Sequence, residues 1–81
     1  DKMAKEEREF KDIYWVRLIE RLPNGIRQTE ELHRFESGAS ALKKYEELIL
    51  EHEGKEGQWI VDILFIHEAQ FSTIKEKRLW L

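Results

Sequence analysis

Three histidines are the side chains of this sequence best suited to metal binding or acid-base catalysis. His33, His52 and His67 fall in three different predicted elements, and none belongs to an H-x-x-x-H or H-E-x-x-H arrangement. A three-histidine metal site would have to be assembled by folding, whereas isolated histidines at the surface or beside the core are more common. His67 and Glu68 have the composition of an acid-base pair, but adjacent strand residues point to opposite faces. The histidines therefore define no site.

Other signatures of catalysis are missing from the sequence. It contains neither a G-x-G-x-x-G nor a G-x-x-x-x-G-K-S/T loop that would cradle phosphates. Its serines, Ser37, Ser40 and Ser72, lack the context of a nucleophile elbow. We therefore expect a protein that is not an enzyme and that carries no cofactor and no metal.

Asp62 is the one carboxylate within a strongly apolar run, the stretch QWIVDILFIHE from Gln58 to Glu68. A carboxylate in such surroundings must be paired with a cation, or its pKa must rise. We expect Asp62 to lie beside a basic residue or at the rim of the sheet rather than to act in catalysis. The same run is apolar on both alternating faces, so both sides of this strand need cover.

Composition and charge are those of a small globular domain. The 81 residues are 41% hydrophobic and 38% charged, with a formal net charge of −3 and no cysteine. No run approaches the length of a membrane span, and the first ten residues are mostly charged. These features predict a single cytoplasmic domain, residues 1–81, without membrane contact. Residues 1–2 are interpreted as the remnant of a cleaved affinity tag before Met3.

Hydrophobic periodicity and turn signals divide the chain into elements. Residues 3–10 predict an arm or a short helix, and Asn24-Gly25 predicts the turn of a β-hairpin over residues 12–35. Apolar residues at three-and-four spacing, with Ser37 as N-cap and Gly54 as the stop, predict a helix over residues 38–53. Two strands, 58–68 and 69–74, should follow, with a C-terminal tail over 75–81.

The resulting order, β-β-α-β-β, predicts an α+β fold in which one main helix packs on one face of a small antiparallel sheet. The other face then needs cover, and there are three candidates. These are the N-terminal segment with Phe10, the C-terminal tail with Trp80, and the sheet of another chain. Alternation along the strands fixes which residues share a face of the sheet but not which face packs against the helix. The set with Tyr14 and Trp59 and the set with Trp15 and Ile60 are interchangeable at this stage.

The lack of a catalytic motif and the excess of apolar strand surface favour a protein-interaction or regulatory role. We expect a small accessory or inhibitor-type protein, of the kind common in bacteria and phages. The partner would be another protein or a second copy in a homodimer. The predicted contact residues are Trp15, Arg17, Ile19, Ile60, Asp62, Leu64, Ile66 and Trp80.

Nucleic-acid binding is the alternative function. Sheet aromatics beside basic residues, such as Trp15 with Arg17 and Arg21, can stack on bases. The net negative charge argues against it, because no stretch has the basic character expected of a phosphate binder.

Overall fold

The computed structural model describes residues 12–80, which form four strands and one helix. These elements are β1 (Ile13–Arg21), β2 (Arg27–Phe35), α1 (Gly38–His52), β3 (Gln58–His67) and β4 (Gln70–Trp80). The predicted β-β-α-β-β order and α+β class are confirmed. The interpretations of residues 1–2 as a tag remnant and 3–10 as an arm or helix lie outside the described residues.

All strands pair antiparallel, in the spatial order β2-β1-β3-β4. The apolar strands β1 and β3 are therefore the inner pair, and the more polar strands β2 and β4 form the two edges. This arrangement follows from composition, because an inner strand has neighbours on both sides and its side chains are shielded on both faces.

Two tight turns connect the paired strands by different means. In the predicted hairpin, Gly25 has φ 89°, and the side chain of Asn24 accepts a hydrogen bond from the amide of Ile26 at 2.9 Å. The second turn, Glu68-Ala69, has φ of 48° and 66°, positive angles that glycine or asparagine adopts more readily. Because neither residue is typical of such a turn, the sequence does not mark it.

Helix α1 begins and ends close to the predicted boundaries. The side chain of Ser37 caps it by accepting a hydrogen bond from the amide of Ser40 at 3.3 Å. The helix ends at His52, and Gly54 follows with φ 78°. The buried side of the helix faces the sheet and consists of Ala41, Tyr45, Leu48 and His52.

The core lies between this helix and one side of the inner strands. Val16 and Leu18 of β1 pair with Ile63 and Val61 of β3, and all four are buried against the helix. The helix thus covers the face that also carries Tyr14 and Trp59, which settles the choice left open by alternation. The opposite side of the sheet is called the outer face below.

One predicted boundary is wrong. Strand β4 continues to Trp80, six residues beyond Ile74, so residues 75–80 belong to the sheet and are not a separate tail. Lys75 pairs with Ile63, and Leu79 pairs with Trp59 and packs against the core. Charged residues are tolerated in an edge strand because their side chains reach water, and they also discourage pairing with other chains. Trp80 therefore lies within the sheet and does not fold over it.

We predict that Leu48→Ala lowers the free energy of unfolding by about 3 kcal/mol, because Leu48 is fully buried between helix and sheet. Leu50→Ala, on the exposed side of the same helix, should change it by less than about 0.5 kcal/mol. Urea denaturation of both variants measures the difference. Equal effects would contradict the packing described here.

Candidate functional site

The outer face brings together all eight predicted contact residues. Trp15, Arg17 and Ile19 of β1 lie opposite Leu64, Asp62 and Ile60 of β3. At the two ends, Ile66 lies opposite Ile13, and Trp80 of β4 lies opposite Gln58. Antiparallel partners share a face, so these side chains project from the same side of the sheet.

Exposure divides these residues into a base and a rim. Ile60, Asp62 and Ile19 are 1%, 2% and 4% exposed, so they support the surface and cannot themselves provide much contact area. Trp80 at the rim is 44% exposed. A partner that binds this face would therefore contact its rim residues. Ile60, Asp62 and Ile19 thus drop out of the predicted contact set.

Sequence reasoning missed several rim residues because of two β-bulges. Phe71 and Trp80 are nine positions apart, so strict alternation would place them on opposite faces. The pairing of β3 with β4 shifts between Ile63 and Leu64, which leaves Ile74 as the extra residue and returns Phe71 to the outer face opposite Ile66. Phe71 is 71% exposed there.

The edge strand β2 has a matching irregularity. Its pairing with β1 shifts between Leu18 and Ile19, which leaves Glu30 as the extra residue. As a result Arg27 lies on the outer face opposite Arg21, together with Leu32 and Arg34. A sequence shows alternation but not where it is interrupted, so these positions could not be found in advance.

An ion pair spans the centre of the outer face. The guanidinium of Arg17 donates two hydrogen bonds to the carboxylate of Asp62, from Nε to Oδ1 at 3.0 Å and from Nη2 to Oδ2 at 2.7 Å. These hydrogen bonds raise the pKa of Arg17 above its ordinary value, an effect that partial burial of the guanidinium opposes. Asp62 is thus paired with a base, as its sequence context predicts, and this geometry gives it a structural role.

Arginines and lysines are separated between the two sides of the molecule. The five arginines of residues 12–80 all lie on the outer face, whereas the five lysines lie on the helix, in a loop or on the helix-facing side of β4. The arginines are Arg17, Arg21, Arg27, Arg34 and Arg78. The carboxylates that accompany them are Asp62 and Glu76 on the paired strands and Glu36 just after β2, which lies 3.5 Å from Arg34.

Each of the three histidines has its own hydrogen-bonding partner. The ring of His33 lies 2.8 Å from a carboxylate oxygen of Glu31, and Nδ1 of buried His52 lies 2.9 Å from the carbonyl oxygen of Leu48. Nδ1 of His67 lies 2.6 Å from a carboxylate oxygen of Asp12. Within residues 12–80, no group of three histidine or acidic side chains is arranged to hold a metal ion.

Two of these contacts alter acidity. Hydrogen bonding to the Asp12 carboxylate raises the pKa of His67 above 6.5. Hydrogen bonding from His33 lowers the pKa of Glu31 below 4.5. Both pairs are accessible to water and lie away from the centre of the outer face, so they act locally at the surface.

Comparisons with known proteins identify no relative: no family model matches the chain, and neither a curated protein nor a solved structure matches it. In the part of the chain that the structure describes, no helix is long and apolar enough to cross a membrane. The outer face is the feature of these residues that bears on function.

We predict that Arg17→Met lowers the free energy of unfolding by about 3 kcal/mol, because it leaves the buried carboxylate of Asp62 without its cation. The double variant Arg17→Met/Asp62→Leu should recover most of the loss, since no buried charge then remains. Urea denaturation of the single and double variants provides the test. A double variant no more stable than Arg17→Met would contradict this role.

The His67 pair predicts a pH dependence. Because folding raises the pKa of His67, the pair favours the folded state below pH 6.5, and this contribution is lost as the pH rises through the raised pKa. In an NMR titration, Asp12→Asn should lower the pKa of His67 toward 6.5. Glu68→Gln, which removes a weaker influence, should lower it less. The reverse order would show that Asp12 is not the main partner.

Proposed function

We propose that this chain is a non-enzymatic protein-interaction or regulatory protein that binds another protein through its outer face. The observation that carries the proposal is the composition of that face. Aromatic and arginine side chains surround the buried Ile19 and Ile60 and the Arg17–Asp62 pair, and no helix or strand of residues 12–80 lies across the face. Action in the cytoplasm is part of the proposal, because a chain without cysteine suits a reducing compartment.

The composition agrees with what distinguishes protein interfaces from ordinary surface. Interfaces are enriched in tryptophan, phenylalanine and arginine and depleted in lysine. The outer face carries Trp15, Phe71 and Trp80 with all the described arginines, and the described lysines lie elsewhere. The exposed apolar side chains of Leu32 and Phe71 would add apolar contact area to such an interface.

The polar groups of the face support binding better than catalysis. Asp62 is engaged by Arg17 through two hydrogen bonds, and Glu76 accepts a hydrogen bond from Arg78. A general base needs an accessible lone pair directed at a substrate, and here the buried carboxylate points at an arginine. We therefore retain the expectation that the chain is not an enzyme.

Single-stranded nucleic acid is the second candidate ligand, because aromatic rings and arginines share one face. Two observations rank it lower. Isoleucine and leucine lie at the centre of the face, and three of its five arginines already have carboxylate partners. Salt separates the two functions, because phosphate contacts weaken steeply with salt whereas apolar contacts do not.

Phe71→Asp provides the test of the proposed function, and Leu50→Asp is its matched control. Both side chains are 71% exposed, but Leu50 lies on the outer side of the helix. If the outer face binds protein, Phe71→Asp should abolish capture of proteins that the unaltered chain retains from lysate of its source organism, and Leu50→Asp should not.

Thermal unfolding and solution mass complete this experiment. Both variants should unfold close to the temperature of the unaltered chain, because neither side chain is buried. Light scattering at low and high salt distinguishes a second copy from a different protein as the occupant. Equal capture by all three proteins would contradict the proposal.

A further inference from the structure

The arginines of the outer face are not all compensated. Arg17 is paired with Asp62, and Nε of Arg78 donates to Oε2 of Glu76 at 3.1 Å. Arg34 reaches Glu36 at 3.5 Å. The pairs of Arg34 and Arg78 are both largely exposed, and such surface pairs contribute little. Positive charge therefore remains along the half of the face formed by β1 and β2.

Arg21 and Arg27 are the clearest case of this uncompensated positive charge. They are direct cross-strand partners on the outer face, where like charges destabilise a sheet. Nη1 of Arg21 donates to the neutral side-chain oxygen of Gln58 at 2.7 Å. Within residues 12–80, no carboxylate forms an ion pair with either arginine. An arrangement unfavourable for the isolated chain becomes favourable when an anionic group binds between the two guanidinium groups.

The same charge argues against a second copy of the chain as the occupant. Among the described residues, face-to-face pairing would bring five arginines and three carboxylates of one copy against the same set on the other. Each surface would meet a net positive charge, and like charges brought together at an interface oppose association. The occupant should carry the opposite charge.

We propose that the outer face recognises an acidic segment of a partner protein, one that combines carboxylates with apolar side chains. The carboxylates pair with Arg21 and Arg27, and the apolar side chains pack on Trp15 and Phe71. This inference rests on the proposed function and specifies the partner's chemistry. Arginine suits the role because its planar guanidinium binds a carboxylate through two parallel hydrogen bonds.

Carboxylates of a protein fit this face better than phosphates of a nucleic acid. The centre of the face carries Ile19, Ile60 and Leu64, which offer no polar groups for base edges, and the polar groups of Arg17 and Asp62 are hydrogen-bonded to each other. The chain as a whole is negative, with a net charge of −3, so long-range attraction to a polyanion is weak. A short acidic segment needs only the local cluster.

The test uses the full chain and three fluorescent probes, with binding followed by anisotropy. The first probe is an amphipathic peptide of alternating pairs of glutamate and leucine, and the second replaces every glutamate by glutamine. The third is a single-stranded oligodeoxythymidine. We expect the glutamate peptide to bind at least about tenfold more tightly than either of the other two.

Charge reversal identifies where the peptide binds. Arg21→Glu/Arg27→Glu should weaken binding of the glutamate peptide by at least about tenfold. Lys43→Glu/Lys75→Glu is the matched control, because it changes the net charge equally at exposed positions off the outer face. This control should weaken binding by less than about threefold.

Several results would overturn the inference. They are absent binding of the glutamate peptide, equal binding of the glutamine peptide, tighter binding of the oligonucleotide, and equal loss in the two charge-reversed variants. A dimer in light scattering that Phe71→Asp dissociates would identify a second copy as the occupant and would also overturn it. If Phe71→Asp weakens peptide binding and arginine reversal does not, the acidic-partner inference fails while the proposed function stands. If neither change affects binding, this face is not the binding site, and both fail.

Discussion

The pairing of Arg17 with Asp62 is the constraint on which the rest of the structure depends. The two residues are direct partners at the middle of the central strands, and β3 is apolar on both faces, so its hydrophobic pattern alone specifies register weakly. A slip of one residue would turn the carboxylate toward the helix and leave it buried without a cation, at a cost of several kcal/mol. The ion pair therefore favours the register in which Asp62 faces away from the helix, and the flanking strands pair with the inner strands in that register.

The edge strands pair in register with the inner strands, but a β-bulge interrupts the alternation of faces in each. One extra residue, Glu30 in β2 and Ile74 in β4, reverses the alternation partway along the strand. In β2 this places Arg27 beside Arg21, and in β4 it places Phe71 on the same face as Trp80. The bulges also make both edges irregular, which discourages uncontrolled pairing with other chains. Two local irregularities thus concentrate arginine and aromatic side chains on one surface.

The sequence predicts the elements well because their signals are local. The Asn24-Gly25 turn, the Ser37 cap and the helical apolar spacing each act within a few residues, and the fold class follows from their order. What the sequence does not reveal depends on distant partners. The strand beyond Ile74 exists because β3 pairs with it, although Lys75 to Arg78 are charged. The outer face was grouped correctly within each inner strand by alternation, but Phe71 and Arg27 reach it only through bulges that no local pattern marks.

A face of this kind links binding to stability. Among residues 12–80 the helix covers one side of the sheet, and a domain of 81 residues has little net stability. The direct cross-strand pairing of Arg21 with Arg27 lowers the stability of the isolated chain. A partner that binds only the folded chain stabilises it by RT ln(1 + [L]/Kd), which is about 2.7 kcal/mol at one hundred times Kd. An acidic partner would also relieve the repulsion between the arginines. The charge pattern that weakens the isolated chain would therefore make the chain gain more stability from an acidic partner than from a neutral or basic one.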